Sequence, residues 1–244
     1  MTTAIVIPAR FAATRLPGKP LRLIAGKTMI QHVYEKAAAV KEADFAIVAT
    51  DHQGIYDTVK SFGGEVIMTS PNHQTGTDRI AEVAEKIKCD IIVNVQGDEP
   101  LIKPETIALC ARPLLDNPKE VMATLKHRLY NKEDIQNTNF VKVIADKNDY
   151  AIYFSRFAIP YTRNECGFPY FKHIGIYAYR KDFLLQYAKM PQTLLEKSES
   201  LEQLRAIENG YRIKVLETND IPAGIDTEED LKKVQAILEN TKGK

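Results

Sequence analysis

From Thr3 to Asp116, short runs of β-branched and apolar residues alternate with stretches of helical period, and this alternation restricts the fold more than any other feature of the chain. The runs "TAIVIP", "FAIVAT", "GEVIMT" and "DIIVNV" are too short for helices and too continuously apolar for strands with one wet face, so they read as strands buried on both sides. Amphipathic stretches near 28–41, 53–62 and 78–88 lie between them, and "KPETIALCARPLLD" reads as a further helix. Strands joined by helical crossovers pair in parallel, so the pattern predicts an α/β fold with a mostly parallel central sheet. After that helix, "VMATLKH", "FVKVIAD", "YAIYFS" and "HIGIYAYR" follow one another without helical patterns between them, which predicts antiparallel additions. A helical stretch near 196–209, the strand "YRIKVLE" and a closing helix from about 228 complete the reading. No low-complexity linker or repeat interrupts the pattern, so residues 1–244 are expected to form a single domain.

A chain of this length buries roughly 70 to 75% of its unfolded surface, enough for a core without disulfides or a structural metal. Its 33 basic and 32 acidic residues leave a net charge of +1, which argues against nucleic acid as a partner, so any positive patch must be local. The three cysteines, Cys89, Cys110 and Cys166, are an odd number without CxxC spacing and suggest neither a disulfide framework nor a zinc site. The initial apolar run is too short for a signal segment, and no 18 apolar residues are consecutive, so the expectation is a cytoplasmic protein with no membrane partner.

The first strand runs into "IPARFAATRLPGKPL", a loop stiffened by Pro8, Pro17 and Pro20 that carries Arg10, Arg15 and Lys19. In open α/β sheets the loop after the first strand lines the ligand crevice. Three cations there imply an anion, and Arg forks with a compact Lys charge suit phosphate oxygens. The nearby "GKT" of Gly26, Lys27 and Thr28 is not a P-loop, because Leu21 stands where the motif needs its first glycine. It reads instead as a turn in which Thr28 caps the next helix. Asp98 in "DIIVNVQGDEPLI" follows a buried strand, where its carboxylate can face the same crevice and serve as an oxygen ligand for Mg²⁺; the plainer alternative is a turn aspartate. Asp226 begins "DTEE", which is also a serviceable capping box. Thr75, Gly76 and Thr77 stand at a helix start, where free backbone NH groups can read a base edge or cap the helix in the ordinary way. Arg156 follows the aromatic strand "YAIYF" and offers a fork for a carboxylate, and His173 and Tyr177 share a face of "KHIGIYAY".

The ordered set "IPARFAATRLPGKPL", "VATDH", "TGTDRIAEV", "NVQGDEPLI", "YFSR", "KHIGIYAYR", "LEQLR" and "GIDTEEDL" resembles the CMP-Kdo synthetase (3-deoxy-manno-octulosonate cytidylyltransferase) family from about residue 4 to 234. The resemblance implies a Rossmann-like nucleotidyltransferase fold with an antiparallel subregion for substrate and dimerisation. It implies conversion of CTP and 3-deoxy-D-manno-octulosonate (Kdo) to CMP-Kdo and pyrophosphate, activating Kdo for lipopolysaccharide biosynthesis, in a homodimer. A related acidic sugar, 8-amino-Kdo or sialic acid, is the alternative acceptor. Asp98 and Asp226 are implied to hold Mg²⁺, with Arg10 and Lys19 as the catalytic cations. Arg10, Arg15, Lys19, Thr75, Gly76, Thr77 and Arg79 are implied to bind the nucleotide. Gln96, Arg156, His173, Tyr177, Glu202 and Gln203 are implied to bind the sugar acid. No protein nucleophile is expected, because phosphoryl chemistry can run on positioning and charge neutralisation.

Overall fold

The computed structural model describes residues 1–11 and 16–242. By their contacts these residues form two compact units, Met1–Ala108 with Pro222–Lys244, and Leu109–Ile221.

The first unit follows the alternation in the sequence. Strand β1 (Thr3–Ala9) is succeeded by a 3-10 turn at Lys19–Leu21 and a small hairpin of β2 (Leu23–Ile24) and β3 (Lys27–Thr28). Then come α1 (Met29–Ala38), β4 (Phe45–Thr50), α2 (Gln53–Ser61), β5 (Val66–Met68), α3 (Gly76–Lys86), β6 (Ile91–Asn94) and α4 (Pro104–Asp116), the last carrying the chain into the second unit. The strands stand in the order β6-β1-β4-β5, all parallel. Their continuous apolar runs are buried: Ala4 to Ile7, Val48, Ala49, Ile91 and Ile92 are inaccessible or nearly so, as the interior of a sheet covered on both faces requires. The "GKT" stretch is the hairpin: Ala25 (φ 48) and Gly26 (φ 86) both take the left-handed conformation of a two-residue turn, which glycine adopts without strain. Thr28 does precede α1, but its side chain makes no capping hydrogen bond.

The second unit holds β7 (Met122–Leu129), α5 (Lys132–Gln136), β8 (Lys142–Ala145), β9 (Ala151–Ser155), β10 (Tyr170–Arg180), α6 (Lys181–Tyr187), α7 (Leu194–Glu199), α8 (Leu204–Glu208) and β11 (Lys214–Glu217). The expected antiparallel additions are present: β10 pairs with β7 and β8, and β8 with β9. The last strand, β11, runs parallel to β7. The helical stretch expected near 196–209 is two short helices. The first starts earlier, where the Thr193 NH donates to Glu196 Oε2 at 3.2 Å, and ends where Ser200 turns left-handed (φ 53), so Glu202 and Gln203 lie in the turn between α7 and α8. The closing helix α9 (Glu228–Lys242) returns to the first unit, where Ile225, Leu231 and Val234 pack with Leu16, Ile24 and Met29.

Candidate active site

In an open parallel sheet, a ligand crevice lies beyond the carboxyl ends of the strands where the strand order reverses. With β4 and β5 on one side of β1 and β6 on the other, that reversal falls between β1 and β6. Pro8, Arg10 and Lys19 on the β1 side and Gln96, Gly97 and Asp98 on the β6 side line a cleft of about 210 Å³ there. The two loops touch through their backbones: a Cβ at Gly97 would stand 2.9 Å from the Pro8 carbonyl oxygen, so a larger residue would force them apart.

At this cleft the Lys19 ammonium donates to Asp98 Oδ2 at 2.6 Å and to Asp226 Oδ1 at 3.0 Å. The Lys19 side chain is 11% exposed, whereas the two carboxylates are 36% and 49% exposed. Asp226 reaches the cluster from 128 positions beyond Asp98 through its buried neighbour: the Ile225 NH donates to the Asp98 carbonyl at 3.0 Å while its side chain lies in the core. The capping box foreseen in "DTEE" exists, but its cap is Thr227. The Thr227 hydroxyl accepts from the Asp230 NH at 3.2 Å, and Asp230 Oδ2 accepts from the Thr227 NH at 2.9 Å. Asp226 contributes its NH to Asp230 and turns its carboxylate to Lys19.

Two carboxylates converging on one cationic nitrogen are the donor set that Mg²⁺ takes from a protein when substrate phosphates and water complete its shell. Among the described residues no group of three or more His, Cys, Asp or Glu side chains is arranged to hold a metal. Arg10 stands in the cleft at the end of β1. Beside it, the Phe11 ring lies flat on the His52 imidazole, with centroids 3.9 Å apart and planes at 7°. Arg15 lies outside the described residues.

Thr75, Gly76, Thr77 and Arg79 open α3, after β5. Thr75 is its N-cap in a reciprocal box with Asp78, and a Cβ at Gly76 would lie 3.7 Å from the Pro8 ring. The loop before it is tied down by Glu82, which accepts from the Ser70 NH at 2.8 Å and meets His73 Nε2 at 2.6 Å. Burial pushes Glu82 upward, but the Lys86 ammonium, the Ser70 NH and His73 together hold its carboxyl at about 2. Thr77 and Arg79 are buried. The Arg79 guanidinium donates to Asp51 Oδ2 at 2.6 Å and to the Thr69 hydroxyl, tying α3 to the residues that follow β4 and β5.

The remaining sequence-derived candidates belong to the second unit. Arg156 follows β9, and its Nε donates to the Glu199 carbonyl at 2.8 Å, while Glu199 Oε2 accepts from the Arg156 NH at 2.9 Å. The Arg156 carbonyl accepts from Lys142, whose buried ammonium also meets the carbonyls of Asn137 and Phe140. His173 is buried with Nε2 2.9 Å from the Thr124 hydroxyl, and burial lowers its pKa to about 3, which keeps the ring neutral. Tyr177 is brought to it, ring centroids 5.4 Å apart, across an irregularity in β10. Burial, with the Glu202 carboxylate nearby, raises the Tyr177 phenol well above its ordinary value. Gln203 is buried, and its Nε2 has no hydrogen-bond partner among the described residues. Glu202 stands 3.8 Å from the Arg205 guanidinium.

Sequence reasoning missed the residues that hold these groups in place. Gly97 was visible between Gln96 and Asp98 but gives its reason only once Pro8 is seen against it. Asp51 stands in "VATDH", but neither its role nor that of Glu199 was legible, because their partners are 28 and 43 positions away.

Residues 4–215 match the cytidylyltransferase family. A 3-deoxy-manno-octulosonate cytidylyltransferase of Fusobacterium nucleatum is 56% identical over 94% of each chain. One of Syntrophotalea carbinolica is 50% identical over 98% of this chain and 99% of its own. Among solved structures, a CMP:2-keto-3-deoxy-manno-octonic acid synthetase complexed with CTP superposes with a TM-score of 0.96 at 43% identity, covering 99% of this chain and 100% of its own. With the cytidylyltransferase family matched over residues 4–215 and identity at this level along nearly its whole length, the chain belongs to the 3-deoxy-manno-octulosonate cytidylyltransferase family.

Proposed function

We propose that this protein transfers the cytidylyl group of CTP to Kdo, releasing pyrophosphate and forming CMP-Kdo. The observation that carries the proposal is the meeting of Asp98, Asp226 and Lys19 in a cleft that also holds Arg10, at the strand-order reversal of a parallel sheet. Cations and carboxylates in one cleft suit a triphosphate and its counter-ion, and the relatives' names specify the base and the acceptor.

In this reading Arg10 and Lys19, with Arg15, hold the triphosphate and stabilise the departing pyrophosphate. Asp98 and Asp226 would hold Mg²⁺, which when bound supplies charge neutralisation to phosphate oxygens and favours ionisation of the attacking hydroxyl. Thr75, Gly76, Thr77 and Arg79 are assigned to the cytosine side, Arg79 by fixing the start of α3 through Asp51 and Thr69. Gln96, Arg156, His173, Tyr177, Glu202 and Gln203 are assigned to the sugar acid. The buried Gln203 Nε2 supports this, since an unpaired buried donor is costly and a sugar hydroxyl would satisfy it. The reacting step is attack of the anomeric hydroxyl of Kdo on the α-phosphorus, with positioning and electrostatics as the protein's contribution.

A homodimer is part of the proposal. The second unit exposes Phe157 (71%), Tyr161 (88%), Tyr130 (77%) and Ile152 (55%), large apolar side chains of the kind a subunit contact covers. No helix among the described residues is long and apolar enough to cross a membrane. Three free cysteines suit the reducing cytoplasm assigned to the reaction.

The test is a pyrophosphate-release screen of four nucleoside triphosphates against Kdo, 8-amino-Kdo and N-acetylneuraminic acid. Turnover should require CTP and be fastest with Kdo. A faster reaction with either other sugar at matched concentrations would move the acceptor assignment, and release without CTP would remove the nucleotide assignment.

A further inference from the structure

The geometry points to a second role for Lys19: without nucleotide, its ammonium holds the place between Asp98 and Asp226 and keeps a divalent cation out until a triphosphate draws it away. The inference rests on the assignment of those carboxylates to the metal.

Lys19 donates to both carboxylates at once, at 2.6 and 3.0 Å, and its side chain is the most enclosed of the three. Its Nζ therefore occupies the position from which a single cation touches both ligands. The backbone fixes this arrangement from both sides. Lys19 opens a 3-10 turn in which the Leu21 NH bonds to the Gly18 carbonyl at 2.9 Å, and Asp226 is anchored through Ile225 to the Asp98 carbonyl at 3.0 Å. The trio carries one net negative charge, a weak attraction for a hydrated divalent ion. Such an ion cannot reach both carboxylates without standing beside the ammonium. A triphosphate changes this, because it offers Lys19 several anionic oxygens, drawing its ammonium from between the carboxylates as it brings further oxygen ligands for the metal. The consequence is an order: nucleotide first, metal into the vacated position second. By linkage, the factor by which the nucleotide raises metal affinity equals the factor by which the metal raises nucleotide affinity.

The step is tested without nucleotide and without turnover, using Mn²⁺ as a paramagnetic probe and counting free ion by electron paramagnetic resonance. Lys19→Met keeps the apolar stem and removes the charge, with Lys19→Gln as a second variant and thermal unfolding to verify that each is folded. Placing a divalent and a monovalent charge about 4 Å apart in the fully solvated limit corresponds to about thirtyfold in affinity, so the variants should bind Mn²⁺ about thirtyfold more tightly than the unsubstituted protein. Adding Asp98→Asn to Lys19→Met should abolish the gain. Folded Lys19 variants that bind Mn²⁺ no better than the unsubstituted protein would overturn the role of Lys19 and leave the carboxylate assignment standing. A gain that survives in the double variant would put the ion elsewhere and overturn both.

Discussion

Replacing Ile225 with alanine tests whether the site depends on a residue that touches no substrate. Ile225 is inaccessible to solvent, packs with Leu16, Ile24, Met29, Leu231 and Val234, and donates its NH to the Asp98 carbonyl at 3.0 Å. Truncating a fully buried isoleucine to alanine costs about 2 to 5 kcal/mol, and to valine about 0.5 to 1.5 kcal/mol, from lost transfer energy and the cavity left behind. A mid-range loss of about 3 kcal/mol from a domain stability of about 5 to 15 kcal/mol leaves the alanine variant mostly folded at 25 °C. Locally, however, burial of Ile225 is the apolar anchor of the 222–226 segment beside its hydrogen bonds, so a loss of about 3 kcal/mol weakens its docking by about two orders of magnitude. Asp226 is then held less firmly beside Asp98 and Lys19. We expect Ile225→Ala to lower kcat/KM at least about tenfold and to raise the Mg²⁺ concentration giving half-maximal rate, with Ile225→Val intermediate, following the graded loss of burial. The assays are urea unfolding and steady-state pyrophosphate release across a Mg²⁺ series. An alanine variant destabilised by the expected amount but unchanged in kcat/KM and Mg²⁺ dependence would refute the coupling between this core and the site.

Arg156→Lys should reduce kcat/KM for Kdo by about 10- to 150-fold, equivalent to about 1.5 to 3 kcal/mol, while CTP binding stays nearly unchanged, because an ammonium cannot reproduce a guanidinium held through Nε by the Glu199 carbonyl. An equal loss of CTP affinity, measured by calorimetry, would remove Arg156 from the sugar side. For His173 the sign follows from its depressed folded pKa, about 3 against 6.5 for the free side chain. Between those values the unfolded chain takes up the proton and the folded one does not. Its contribution to stability is therefore complete above pH 6.5 and falls by about 1.4 kcal/mol per pH unit below it. Urea midpoints from pH 7.5 to 5 should decline more steeply than in His173→Asn, and parallel declines would show that His173 does not remain neutral.

What the sequence determined was everything that depends on neighbours along the chain. Continuous apolar runs separated by amphipathic stretches can bury both only as parallel strands with crossover helices, and β1, β4, β5 and β6 stand where those runs are. The same locality made the cation-bearing loop after β1 and Asp98 after β6 legible, since chain order places them at strand ends. Glu202 and Gln203 show where locality gives out: helical propensity continues through them, but the Thr193 cap and the left-handed Ser200 reset the helix, leaving them in a turn. "DTEE" contained a cap, yet which residue took it was settled by Asp230 reaching Thr227 and by Lys19 claiming Asp226.

Only the tertiary structure decided which charges meet. Lys19 is 79 positions from Asp98 and 207 from Asp226, and no periodicity relates separations of that size. They come together because burial of Ile225, Leu231 and Val234 against Leu16, Ile24 and Met29 returns the end of the chain to its beginning. Apolar burial is non-directional and sums over the whole core, so its outcome is not written in any one stretch. The directional bonds among three charged side chains then select one geometry within the position that burial has fixed.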